Sequence, residues 1–281
     1  MSKKPTIKQI LLISRPRFWM YLIGPFLIGA TSSIEITQLI EQPLFWIGLI
    51  FFSLPANLLI YGINDLADQD TDKFNEKKEG YEIRFQQNWE KSLLYTLILS
   101  NFPFILWLTI SNSSIILSLS WFIFLGLTYS LPPLRFKSRP LFDSLSNFLY
   151  ILPGIVGFQL FSSNSLNISL VIAAGLWAMA MHAISAVPDI EADKQAGLNT
   201  IATKLGFTKT IRFCQLCYFI ATIISFPVLK LLSLIIGFIY IAFAELSVRG
   251  GSTKIIKFYS LYPYINALVG FVLFIKTLFL S

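Results

Sequence analysis

Four aspartates fall within eight residues of the stretch "GINDLADQDTDKFNEKK", Gly62 to Lys78: Asp65, Asp68, Asp70 and Asp72. A second acidic group, "PDIEADKQAG", sets Asp189 and Asp193 four residues apart. On a helix, Asn64, Asp68 and Asp72 share one face at intervals of four, with Asp65 three residues before Asp68, and Asp189 and Asp193 make a second stripe. Carboxylates so placed repel one another unless water or cations intervene, so each stripe is either a solvated face or a cation site. Mg²⁺ takes a few carboxylate or carbonyl oxygens and completes its octahedron with water and substrate phosphate. Two such stripes facing each other across a cavity suit two or more ions with a diphosphate between them. Arg135 and Lys137 in "YSLPPLRFKSRP", and Lys194 beside Asp193, offer cations for the remaining phosphate oxygens, although membrane orientation alone also accounts for each of them.

The elements that must position these groups are apolar. The 281 residues are 55% hydrophobic and 13% charged, with 26 Phe and a mean hydropathy of +0.67. Apolar windows of the length a bilayer requires, about 17–25 residues, recur along the chain. Nine spans are expected, at roughly 17–34, 43–62, 92–111, 114–131, 145–162, 168–187, 211–227, 229–246 and 258–280. The fold expected is therefore an all-α polytopic membrane protein forming one domain over residues 1–281. The start, "MSKKPTIKQILLISRPRFWM", turns from basic to apolar without a small-residue cleavage site and reads as an uncleaved first helix.

With nine spans, every Lys and Arg except Lys230 and Lys276 falls on one side, which the positive-inside rule makes cytosolic. The net charge of +7 then needs no nucleic-acid partner, because anionic lipid headgroups account for basic loops. Both acidic stretches open long connections on that side, each after a helix running inward. Cys214 and Cys217 form a C-x-x-C in the apolar run "RFCQLCYFIA"; two thiols do not complete a zinc site, and they read as helix filler.

Three of these motifs together resemble the UbiA intramembrane prenyltransferases. "NDLADQDTD" fits that family's N-D-x-x-D-x-x-x-D motif, "DIEAD" its D-x-x-x-D motif, and "YSLPPLRFK" its Y-S-x-P-P-x-R-x-K loop, in the family's order. The resemblance implies helices around a central lateral cavity and a Mg²⁺-dependent enzyme that binds an allylic prenyl diphosphate and passes its prenyl group to a lipophilic acceptor in the membrane. It also implies that Asn64, Asp68, Asp72, Asp189 and Asp193 are metal and diphosphate ligands, with Asp65 in the same motif, and that Arg135 and Lys137 assist the leaving group. Tyr129, in the same loop motif, and Lys194, beside Asp193, are further candidates to bind the diphosphate.

The chemistry can be argued without the family. Cleavage of an allylic carbon–oxygen bond leaves a multiply charged diphosphate, which metals, Arg and Lys stabilise, and an allylic cation, which water would quench. Phe18, Trp19, Tyr21, Tyr61 and Tyr129, near the cytosolic ends of spans 1, 2 and 4, are candidate ring faces for that cation. The lone histidine, His182, precedes Asp189 by seven residues, two helical turns. It is expected either to be satisfied by a neighbouring polar group or to accept a proton when the cation adds to an alkene. "MHAISAVPDIEAD" and "RPRFWMYLIGP" resemble the carotenoid-elongating branch, which implies a C5 donor and a linear carotene. An aromatic acceptor of quinone pathways, its acidic head held by Arg15 or Arg17, is the other enzymatic reading. A cation transporter, whose acids usually lie near the bilayer midplane, is the reading from another class.

Overall fold

The computed structural model describes residues 4–68 and 86–279, and Asp72 lies outside them. All regular structure among these residues is helical: α1 (Ile7–Ile13), α2 (Met20–Thr31), α3 (Ile36–Leu39), α4 (Pro43–Ala67), α5 (Glu90–Ser111), α6 (Ile116–Thr128), α7 (Phe142–Leu145), α8 (Leu152–Phe161), α9 (Ile168–Ser185), α10 (Ile190–Gln195), α11 (Ile201–Leu229), α12 (Leu231–Gly250) and α13 (Ile255–Phe279). Caps set several starts. Thr6 and Gln9 form a capping box, the Asn167 side chain accepts from the Leu170 N–H at 3.2 Å, and Thr200 with Thr203 opens α11.

Seven helical stretches among the described residues are long and apolar enough to cross a bilayer. The other two expected spans, 17–34 and 114–131, are the shorter apolar helices Met20–Thr31 and Ser113–Thr128. The first starts late because Arg15 takes a left-handed conformation (φ 51°) and a 3₁₀ turn, Pro16–Phe18, follows before the helix begins. The α4 helix instead runs five residues past the expected end of its span, because nothing in "INDLA" breaks it. The α11 helix begins ten residues earlier than expected, at Ile201, and is interrupted at Gly206, whose φ of 75° is glycine's territory.

The chain divides into two compact units. The first comprises Met1–Leu134, Leu152–Asn164 and Gly270–Ser281. Its interior is aromatic: Phe26, Phe51, Phe52 and Phe122 have no solvent exposure, with the Phe52 and Phe122 rings edge to face at 5.6 Å. Helices α2 and α8 touch through glycines, the closest approach small residues allow: a Cβ on Gly29 would stand 1.9 Å from the Gly154 carbonyl oxygen. The second unit comprises Arg135–Ile151 and Ser165–Val269. There the Tyr218 and Tyr240 rings stack at 4.9 Å, and the Tyr240 hydroxyl donates to Asn266 Oδ1 at 2.8 Å. Cys214 and Cys217 are buried in this unit as free thiols, Cys214 donating to the Ala180 carbonyl, which agrees with their reading as helix filler.

Large apolar side chains cover the outside of the long helices, among them Ile110, Leu99 and Phe238, each more than 70% exposed. A water-soluble protein rarely carries so much, and a lipid environment solvates it without cost.

Candidate active site

In the first unit, the last turn of α4 presents Asn64 and Asp65, and Asp68 caps it, its N–H donating to the Asn64 carbonyl at 3.0 Å. Asp68 is 7% exposed. The Asn64 side-chain oxygen accepts from the Ser130 hydroxyl at 2.8 Å and has a second lone pair. Asp65 takes a different direction: its Oδ1 accepts from Arg15 Nη2 at 3.2 Å, and the same guanidinium lies 4.7 Å from the centre of the Tyr61 ring. Arg15, expected to be available to an acidic head group, is thus engaged by the motif. Arg17 packs over Phe18 at 4.5 Å, and Phe18 lies 6.0 Å from both Tyr21 and Tyr61. Tyr129, half-buried, caps α6 immediately before Ser130.

In the second unit, Arg135 adopts φ 40° ahead of the 3₁₀ turn Phe136–Ser138, which carries Lys137 inward to 7% exposure. Burial pushes the Lys137 ammonium down to about 8, against the pull of the Asp193 charge. Asp189 and Asp193 do not continue the helix of His182. A 3₁₀ turn, Val187–Asp189, separates α9 from α10, so the expected alignment of His182 with Asp189 on one face is interrupted at Pro188. Asp193 Oδ2 accepts from Thr200 Oγ1 at 3.4 Å. Lys194 is exposed and pairs with Glu191 at 3.0 Å. It also lines an open cleft of about 760 Å³ together with Arg139 and Lys204.

His182, on α9, stands with Nε2 3.9 Å from Oδ2 of Asp143 on α7. The carboxylate of Asp143 has no solvent exposure and accepts the Ile201 N–H at 2.7 Å. Sequence reasoning passed over Asp143 and Ser130. The available signals were a single acid in the apolar run "PLFDSLSNFLY" and the serine inside the "YSLPP" motif.

Among the described residues, no three His, Cys, Asp or Glu side chains converge to hold a metal ion. The donors present nonetheless suit magnesium in kind: the Asn64 amide oxygen and the Asp68, Asp189 and Asp193 carboxylates are hard oxygen ligands, and Asp72 adds another in sequence.

Known proteins resemble this chain over most of its length. The UbiA prenyltransferase family model matches residues 18–274. A lycopene elongase/hydratase of Haloarcula japonica is 36% identical over 94% of this chain and 88% of its own length. One of Halobacterium salinarum is 34% identical over 94% of this chain and 95% of its own. The solved structure of a UbiA homolog from Archaeoglobus fulgidus bound to DMAPP and Mg²⁺ superposes with a TM-score of 0.68 at 20% identity, covering 97% of this chain and all of that one.

Proposed function

The chain belongs to the UbiA prenyltransferase family, and from that premise we propose that this multi-pass membrane prenyltransferase moves a C5 allylic group from its diphosphate to a linear carotene such as lycopene. The relatives named lycopene elongase/hydratase, alike over nearly the whole chain, support the acceptor. The observation that carries the transfer chemistry is the placing, in each unit, of one acidic motif on a helix end, with the buried Lys137 held near Asp193 in the second.

In this reading Asn64, Asp68, Asp72, Asp189 and Asp193 hold magnesium and the diphosphate. Magnesium, when bound, neutralises charge that develops on the leaving diphosphate. Asp65 keeps Arg15 in place through their ion pair. Lys137 and Arg135 donate to phosphate oxygens, and Lys137 does so from a site that excludes water, where its charge acts most strongly. Tyr129 and Lys194 line the approach. The apolar interior protects the allylic cation until the terminal alkene of the acceptor attacks it, forming the new carbon–carbon bond and leaving a tertiary cation. His182 accepts the proton whose loss completes the product. The basic loops support a cytosolic side for these motifs.

Purified protein given radiolabelled dimethylallyl diphosphate and lycopene should form a longer carotene with magnesium and none with EDTA. Unchanged lycopene beside ready prenylation of an aromatic acid would move the acceptor to the quinone pathways and leave the transferase standing.

A further inference from the structure

Asp143 is the most deeply placed carboxylate of the second unit. Its side chain is 0% exposed, its Oδ2 takes the Ile201 N–H, and its Oδ1 lacks a well-formed hydrogen bond, although the Leu141, Asp143 and Ser144 N–H groups face the carboxylate. An ionised carboxylate in such a place is costly unless a cation or further donors meet it. Among the described residues, the group within ion-pair reach that can become a cation is His182, at 3.9 Å. The pair is also joined to the diphosphate side of the unit. Ile201, which holds Asp143, directly follows Thr200, whose hydroxyl donates to Asp193.

Resting on the carotene reading above, we propose that Asp143 is the positioning residue for His182, and that the pair decides whether the tertiary cation ends as an alkene or as an alcohol. Asp143 draws the Nε2–H of the imidazole toward Oδ2 and leaves Nδ1 as the acceptor. For the pair to act, the 3.9 Å separation must shorten to hydrogen-bond length when substrate fills the site. When the cation forms, a C–H bond beside it breaks; its electron pair becomes the new double bond and its proton goes to Nδ1. The imidazolium so formed faces the Asp143 carboxylate, and the proton then leaves with the diphosphate or to water. Where the imidazole is misplaced, a water oxygen bonds to the cation instead, one water proton passes to the released diphosphate, and the product is a tertiary alcohol.

The test compares wild type, Asp143→Asn, Asp143→Glu and His182→Gln on lycopene with the C5 donor and magnesium, scoring alkene and alcohol products separately. Asparagine keeps the volume and an oxygen for the Ile201 N–H, so size-exclusion behaviour and donor KM should match wild type. Its kcat for alkene should fall about tenfold or more, the alcohol-to-alkene ratio should rise as it does in His182→Gln, and Asp143→Glu should restore part of the alkene. A residue that only supported the fold would lower both products together. Wild-type kcat and product ratio in Asp143→Asn would overturn this inference while the carotene reading stands. Failure of wild type to elongate lycopene would overturn both.

Discussion

The guanidinium of Arg15 lies 3.2 Å from Asp65 and 4.7 Å from the centre of the Tyr61 ring, so the turn between α1 and α2 is clamped to the last turns of α4. The two side chains are only 15% and 3% exposed. Removing one partner of so buried a pair takes the opposite charge away from the other, at a cost of up to about 3–5 kcal/mol. Arg15→Ala and Asp65→Ala should each lower the detergent melting temperature clearly. The double mutant should lose less than the sum, since each single change already removes the shared ion pair. Strict additivity would mean that the two residues act separately.

The acid-bearing end of α4 was legible because "INDLA" holds no breaker, and α4 carries Asn64 and Asp65 to its cap at Asp68. The contacts that organise it were not. Ser130 reaches Asn64 from 66 residues away, and Asp143 meets His182 from another helix, so no local period marks either. Hydropathy located the apolar helices but not their ends. A window average sees neither the left-handed Arg15 before Pro16 nor the turn at Pro188, and it rejects the start of α11 for its lysines.

Ligands of one metal–diphosphate assembly act together, so on the proposed assignment Asp68→Ala and Asp193→Ala should each abolish transfer while the protein still inserts and elutes as wild type. Activity is read from prenyl product formed with saturating magnesium. Retention of more than about a tenth of the rate by both variants, a barrier change of about 1.4 kcal/mol or less, is too mild for ligands.

The α2–α8 contact makes a stability prediction free of catalysis. A Cβ on Gly29 would meet the Gly154 carbonyl oxygen at 1.9 Å, whereas one on Gly24, on the same helix, meets nothing within 4 Å. Gly29→Ala should destabilise by about 1–3 kcal/mol as the backbones are forced apart. Gly24→Ala should be neutral or better, since alanine favours the helix. Equal melting temperatures for the two variants would show that the contact yields without strain.

Orientation is open to chemical labelling in a background without Cys214 and Cys217. The positive-inside rule predicts that the exposed Lys204 faces the cytosol and that the exposed Asn164, in an uncharged connection, faces the other side. A cysteine at Asn164 should react with an impermeant thiol reagent added to intact cells, and one at Lys204 only after lysis. The reverse pattern would place the acidic motifs outside.

Lys137 supplies a pH dependence. Burial lowers its ammonium from 10.5 to about 8. Between those values the folded chain binds fewer protons than the unfolded one, so this residue makes stability rise with pH across that window. Donor binding responds in the opposite sense. The charged form that attracts a diphosphate prevails below about 8, and kcat/KM for the donor reports the free enzyme's ionisation. That ratio should hold steady below about pH 7.5 and fall as pH passes 8. Lys137→Gln should lower it at neutral pH and flatten the fall. Lys137→Arg is the sharper variant, because guanidinium stays charged throughout the range. It should keep part of the activity and lose the alkaline limb. An unchanged limb in Lys137→Arg would assign that ionisation to another group and remove Lys137 from the diphosphate site.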